Sequence, residues 1–208
     1  MSNNKRSDSQ ARRLEDLWQG NFGDSYMRRN LHTSEHRGPF WNEIFRTFHV
    51  TSILEIGCNL GANLQWITSL IPPRNVFGID INKNALSELH RNQPKINVVW
   101  CPARDLPFTD QRFDLVFTMG VLIHQPEESL PLVMSEIVRC AKRYILCAEY
   151  YSKNTKEVVY HGLSGALFKR NYVTIYKNLF PELTLVKQGF LSKKYGWDDV
   201  TYWVFEIS

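Results

Sequence analysis

The sequence predicts an α/β fold, with one sheet of seven strands, mostly parallel, helices on both faces, and an antiparallel hairpin at the C-terminal edge. Three observations predict it. From residue 51 to residue 150 short apolar runs alternate with helical patterns; the runs are continuously apolar; and the last two apolar runs follow one another with no room for a helix between them. Strands alternating with helices imply right-handed crossovers, which lay the strands parallel and cover both faces of the sheet. Two consecutive strands without a crossover helix pair antiparallel.

Residues 1–10 are polar and charged, with no apolar segment of a secretory signal, and are expected to form a disordered tail. Residues 11–208 are expected to form a single domain. Its first part, 11–50, reads as a helical cap with one helix over residues 11–18 and another over 39–48, where Phe40, Trp41, Ile44, Phe45 and Phe48 recur at helical spacing. These aromatic residues, together with Trp18, Phe22 and Tyr26, are expected to pack the cap onto the sheet.

The core, 51–150, begins with a strand over residues 52–56 and a helix over 60–70 that is stopped by Pro72-Pro73. A second strand runs over 76–79 and ends at Asp80, followed by a helix over 84–92. Strands over 96–100 and 113–118, a helix over 127–140 and a fifth strand over 144–148 complete it. Residues 151–208 hold an insertion and then the hairpin, with strands over 183–190 and 200–207 joined by a turn-rich stretch, 193–199.

The composition, 208 residues with 43% hydrophobic and 22% charged content, is that of a small soluble enzyme. No apolar run approaches the roughly 20 residues of a membrane span, so a cytoplasmic protein is expected. Cys58, Cys101, Cys140 and Cys147 form no CxxC pair and have no adjacent histidines, so buried thiols are expected rather than a metal site or disulfides. The net charge of +4 comes without a dense Lys/Arg cluster, so no nucleic-acid partner is signalled.

In an open α/β sheet the ligand sits beyond the carboxyl ends of the strands, closest to the first strand-to-helix turn. Here that turn is Glu55-Ile56-Gly57-Cys58-Asn59-Leu60-Gly61. Glycines allow a sharp bend and close approach of the backbone to a ligand, and asparagine tolerates the left-handed conformation at the middle position. Asp80, at the end of the second strand, can accept hydrogen bonds from two ribose hydroxyls. The spacing Gly57-x-Asn59-x-Gly61 is not the phosphate-binding GxGxxG, and Glu55 would repel a pyrophosphate while suiting a cationic amino-acid tail. An adenosine ligand without phosphate follows.

With Leu54-Glu55-Ile56-Gly57-Cys58-Asn59-Leu60-Gly61, Asp80, Arg104-Asp105-Leu106-Pro107-Phe108 and Phe113-Asp114-Leu115-Val116, the sequence resembles the Rossmann-like class I S-adenosyl-L-methionine-dependent methyltransferases. More narrowly it resembles the methylases associated with pseudaminic (nonulosonic) acid biosynthesis, through Leu17-Trp18-Gln19-Gly20-Asn21-Phe22-Gly23-Asp24-Ser25-Tyr26-Met27-Arg28-Arg29-Asn30, Tyr160-His161-Gly162 and Leu167-Phe168-Lys169-Arg170-Asn171-Tyr172. The resemblance implies S-adenosyl-L-methionine as cofactor and a sugar or nucleotide-sugar acceptor. It implies that Gly57, Asn59 and Gly61 line the methionine moiety, with Glu55 near its amine. Asp80 would hold the ribose, Ile81, Ala103 and Arg104 the adenine, and Met119 would sit beside the sulfonium. Cys101-Pro102 stand where many members have Gly-Asp, and proline offers neither a carboxylate nor an amide donor.

Methyl transfer to a hydroxyl or amine is helped by one general base. His124, just past the fourth strand, is the first candidate; the alternative is a structural histidine bonded to backbone. Glu149, at the end of the fifth strand, could orient the acceptor, act as base or cap a neighbouring segment. Tyr150, Tyr160, His161 and Arg170 are expected to line the acceptor pocket, Arg170 binding a carboxylate or phosphate through its planar fork unless it is a surface residue. Residues 20–30 begin turn-like and carry polar groups, and they are expected to form a lid with Tyr26, Arg29 and Asn30 over the cofactor, Arg29 pairing with its carboxylate. Competing functions are methylation of another carboxylate- or amine-bearing metabolite or of RNA, and a non-catalytic cofactor-binding module.

Overall fold

Seven strands form one sheet in the order β3 (Asn97–Trp100), β2 (Val76–Asp80), β1 (Ile53–Ile56), β4 (Phe113–Met119), β5 (Ala141–Glu149), β9 (Val200–Ile207), β8 (Leu183–Leu191). The first five run parallel, and β9 lies antiparallel to both β5 and β8. This is the expected Rossmann-like sheet with its antiparallel edge hairpin. The structure, a computed structural model, describes residues 3–30 and 36–208, residues 3–9 through their backbone alone.

Period-two alternation decides which residues face which layer. In β1, Ile53 joins the layer built by α3 (Gly38–Thr47), α4 (Leu64–Ile67) and α5 (Lys83–Asn92), while Leu54 and Ile56 join the layer of α6 (Leu130–Cys140) and α7 (Tyr172–Leu179). The aromatic stripe of α3 packs on the sheet as expected: Trp41 lies 4.7 Å from Phe117, Phe40 5.1 Å from Tyr202 and Phe48 4.9 Å from Tyr144, ring centre to ring centre. The four cysteines are free and buried. Among the described residues, no helix is long and apolar enough to cross a membrane.

The structure departs from expectation mainly at the two ends of the chain. Helix α1 spans Asn3–Gln19, so residues 3–10 continue a helix where a disordered tail was expected; residues 1–2 of that tail lie outside the described residues. Gly20 to Asp24, expected as a turn, instead opens helix α2 (Asn21–Arg29). Close packing explains this, because a Cβ at Gly23 would fall 1.9 Å from the Trp18 carbonyl oxygen and only glycine lets α2 fold back on α1. Residues 60–63 belong to the glycine loop, which shortens the expected 60–70 helix to α4. The insertion holds β6 (Lys156–Glu157), β7 (Phe168–Lys169) and α7, none of which was expected. Helix α7 is capped by the Asn171 side chain, which accepts from the Thr174 amide, and it buries Tyr172 and Tyr176 against Trp203 and Phe205.

Candidate functional site

The sheet reverses direction of winding at β1, and the loop after it opens the site. Gly57, Asn59 and Gly61 all have positive φ, 69°, 46° and 74°. A Cβ at Gly57 would come within 2.5 Å of Val121, and one at Gly61 within 2.5 Å of Leu89 in the core. Gly61 is therefore required by core packing and lines neither cavity of the site, contrary to the expectation that it meets the ligand. Asp80 ties the loop down: its carboxylate accepts the Asn59 amide at 2.8 Å through one oxygen and the Asn82 amide at 2.8 Å through the other. Burial raises the Asp80 carboxyl above its ordinary value, against those amide hydrogen bonds.

Two adjoining cavities lie over this loop. One, of about 140 Å³, is lined by Gly57, Asn59, Asp80, Ile81, Ala103, Arg104 and Met119. Its roof is one face of α1, residues Ala11, Leu14, Glu15 and Trp18, spaced as a helix presents a single side. Arg104 fastens that roof through a two-pronged ion pair with Glu15, at 2.6 and 3.0 Å. Asp24 fastens α2 by accepting from Asn82 and Asn84, each at 3.0 Å. Cys101, at the position where many members of the resembled family have glycine, lines this cavity; Pro102, at the carboxylate position, does not.

The second cavity, of about 90 Å³, contains Glu55, Asn63, Arg37, Tyr26, Asn30, Tyr150, Tyr160, Trp197 and Asp198. Tyr26, Gly57, Asn59, Met119, Gly120 and His124 border both cavities, so they stand at the junction. Glu55 is buried; one carboxylate oxygen accepts from the Asn63 amide at 2.6 Å, and the other, Oε2, has no partner. Burial pushes its pKa up to about 8, against the pull of Asn63 and Arg37. Arg37 donates to Asn63 Oδ1 at 2.7 Å and stacks 4.8 Å from the Trp197 ring. Burial lowers its pKa, and the carboxylates of Glu55 and Asp198 oppose the shift.

His124 is buried between the rings of Trp18, at 4.5 Å, and Tyr160, at 5.2 Å. Its Nδ1 lies 2.6 Å from the Ala166 carbonyl oxygen, and burial lowers its pKa to about 4. Two expected site residues prove to be scaffold. Glu149 is fully buried, lines neither cavity and accepts from the amides of Val121, Leu122 and Ile123, so it caps the turn that carries His124. Arg170 is 2% exposed and donates to the carbonyls of Leu122 and Gln125, which accounts for its guanidinium without any ligand.

Tyr150 and Tyr160 line the second cavity, but His161 is exposed at the tip of a tight turn, at positive φ beside Gly162. Of the expected lid, Tyr26 and Asn30 face the site, whereas Arg29 is exposed, borders neither cavity and lies 5.9 Å from the Tyr26 ring. Sequence reasoning missed Arg37, Asn63, Trp197 and Asp198. The spacing of Ala11, Leu14, Glu15 and Trp18 would have revealed the roof; Arg37 carries no local signal beyond preceding Gly38-Pro39. Among the described residues, no three His, Cys, Asp or Glu side chains are grouped to hold a metal ion.

The loop, the acidic strand end and the unpartnered Glu55 oxygen converge on these two cavities. Residues 53–143 match the methyltransferase-domain family. The span runs from β1 to the start of β5, the part of the chain that builds the loop, Asp80 and His124. An uncharacterized protein of Haemophilus influenzae is 30% identical over 96 residues, 43% of this chain and 38% of its own length. Phthiotriol/phenolphthiotriol dimycocerosates methyltransferase 1 of Mycobacterium ulcerans is 29% identical over 89 residues, 42% of this chain and 32% of its own. The chain thus spans about a third of the length of the curated relatives it matches. Among solved structures, the 1,6-didemethyltoxoflavin-N1-methyltransferase of Burkholderia thailandensis, with bound 1,6-didemethyltoxoflavin and S-adenosylhomocysteine, superposes with a TM-score of 0.73 at 13% identity, covering 95% of this chain and 90% of that one. The fold is that of the Rossmann-like methyltransferases.

Proposed function

We propose that this chain is an S-adenosyl-L-methionine-dependent methyltransferase that acts on a small molecule. The observation that carries the reading is Glu55 Oε2, a buried carboxylate oxygen with no partner, facing the same cavity as the Arg37 guanidinium. An orphaned buried carboxylate oxygen is costly unless a cation completes it. An α-amino acid supplies the missing cation, its ammonium for Glu55 Oε2, and its carboxylate can join the contacts that Arg37 already makes. Asp80 has accepted one amide at each oxygen and retains lone pairs for ribose hydroxyls, while Ile81, Ala103 and the α1 face offer an apolar slot for adenine.

When bound, the cofactor supplies a methyl group on a cationic sulfur, activated for in-line displacement. The protein's own part is to align and to dry the site. Trp18, Tyr26 and Tyr160 exclude water at the junction, and the Glu15–Arg104 and Asp24–Asn82 contacts keep the α1–α2 roof closed. The acceptor we propose, as the resemblance implies, is a sugar or nucleotide-sugar related to nonulosonic acids. The second cavity supports it with the hydroxyls of Tyr150 and Tyr160, which suit a hydroxyl-bearing ring.

Thermal unfolding with added ligands tests the cofactor. S-adenosylhomocysteine should raise Tm and NAD or ATP should not, because only a ligand that binds the folded state stabilises it. Stabilisation by NAD alone would overturn the reading.

A further inference from the structure

We infer that His124 is a fixed hydrogen-bond acceptor that selects a hydroxyl, and not a carboxylate, as the group to be methylated; this rests on the methyltransferase reading above. A carbonyl oxygen can only accept, so at 2.6 Å from Ala166 O the His124 Nδ1 must carry the proton. In the neutral ring Nε2 then carries the lone pair, and it is the nitrogen left for the junction that His124 borders. The ring cannot readily turn over. Trp18 and Tyr160 flank it, Glu149 holds the amides of its turn and Arg170 the carbonyls.

A lone pair fixed at this position accepts a proton from an acceptor O–H and repels an acceptor carboxylate. Burial keeps the imidazole from offering that carboxylate a proton at neutral pH. The step balances without any other reagent. The C–O bond forms as the C–S bond breaks, sulfur keeps the electron pair, and the hydroxyl proton passes to Nε2 and then to water. A weak base is enough, because an oxygen that has gained a methyl group sheds its proton to almost any lone pair. An amine arrives at neutral pH as an ammonium, whose proton so weak a base cannot remove to free the lone pair for attack, so the same geometry favours oxygen over nitrogen.

Two measurements on the full chain test this. Imidazole 15N NMR of labelled protein, with the His124 signals assigned by His124→Gln, should show a protonated Nδ1 and a bare Nε2 at neutral pH. An Nε2–H tautomer or an imidazolium would overturn the inference, whatever the enzyme's activity. The second uses S-adenosyl-L-methionine labelled with 13C at its methyl group, incubated with the protein and a bacterial metabolite extract, with calorimetric binding read on the same samples. A methyl ether product supports the inference, and His124→Gln should cut its formation about 10²- to 10⁴-fold while leaving cofactor affinity unchanged. Binding followed by a methyl ester, an N-methyl product or no product overturns the inference alone; failure to bind overturns the methyltransferase reading instead.

Discussion

Glu149 and Arg170 grip opposite sides of one turn. The carboxylate of Glu149 takes the amides of Val121 at 3.2 Å, Leu122 at 3.1 Å and Ile123 at 3.2 Å. The guanidinium of Arg170 gives hydrogen bonds to the carbonyls of Leu122 at 3.3 Å and Gln125 at 2.8 Å. The segment between β4 and α6 carries one short 3-10 turn, Leu122–His124, and these two side chains, from β5 and from the end of the insertion, take the amides at its start and the carbonyls of Leu122 and Gln125. The position of His124 depends on both.

Removing the Glu149 carboxylate should therefore destabilise the whole protein rather than only slow it. Each buried amide left without a partner costs about 1–3 kcal/mol, so Glu149→Ala is expected to lose at least about 3 kcal/mol in urea unfolding, with a lower midpoint. Arg170→Met should cost less, and the double variant less than the sum, because both act on one turn. A Glu149→Ala midpoint equal to that of the wild type would show that water replaces the grip.

The contrast between these residues and the cofactor loop shows what the sequence made legible. The seven strands, the switch at β1 and the left-handed Asn59 follow from local patterns, because strand periodicity and turn chemistry are local properties. Glu149 and Arg170 were misassigned because a charged residue at a strand end looks the same whether it meets a substrate or a backbone turn. Only the distance along the chain, 48 residues between Arg170 and Leu122, separates the two meanings, and local patterns do not carry it. Arg37 was invisible for the same reason: its partner Asn63 is 26 residues away. Helix α2 was obscured by Gly20 and Gly23, which usually break helices and here permit close packing on α1.

The two arginines near the lid separate the carboxylate partner expected from the sequence, Arg29, from the proposed one, Arg37. Arg37→Ala should weaken S-adenosyl-L-methionine binding about 10- to 100-fold by calorimetry, the usual loss for one charge-assisted hydrogen-bond pair. Arg29→Ala should leave it unchanged, since Arg29 is exposed and outside both cavities. The reverse pattern would move the methionine carboxylate to the lid.

Asp80 has two tasks, and substitutions can divide them. It anchors the loop through the Asn59 and Asn82 amides as well as facing the larger cavity, so it is not the lightly packed strand-end carboxylate its sequence context suggests. Asp80→Ala should abolish measurable S-adenosyl-L-methionine binding and also lower Tm, because two amides lose their acceptor. Asp80→Asn keeps one acceptor oxygen, so most of the thermal loss should be recovered while binding stays weak. A Tm unchanged in Asp80→Ala would mean that the loop holds its shape without the anchor.

Glu55 gives the binding reaction a pH dependence of known sign. In the ligand-free protein burial raises its pKa to about 8, so near neutrality the carboxyl is largely protonated. A raised folded-state pKa contributes stability that is fully present below the unfolded carboxyl value and is lost as pH rises through about 8. A ligand ammonium beside Oε2 favours the ionised form, so binding pulls the pKa down and expels a proton. Affinity for S-adenosyl-L-methionine should accordingly rise as pH increases from the acid side toward neutrality, until the ligand's own ammonium begins to lose its proton at about 8. Glu149, with burial raising it to about 7, lines neither cavity and should contribute little to this linkage. Calorimetry at neutral pH in two buffers of different ionisation enthalpy reads the protons released directly, and a value approaching one is expected. Glu55→Gln, which keeps an acceptor for Asn63, should bind more weakly and release none. Proton uptake on binding, or a release that persists in Glu55→Gln, would place the linked group elsewhere and leave Oε2 without its ammonium.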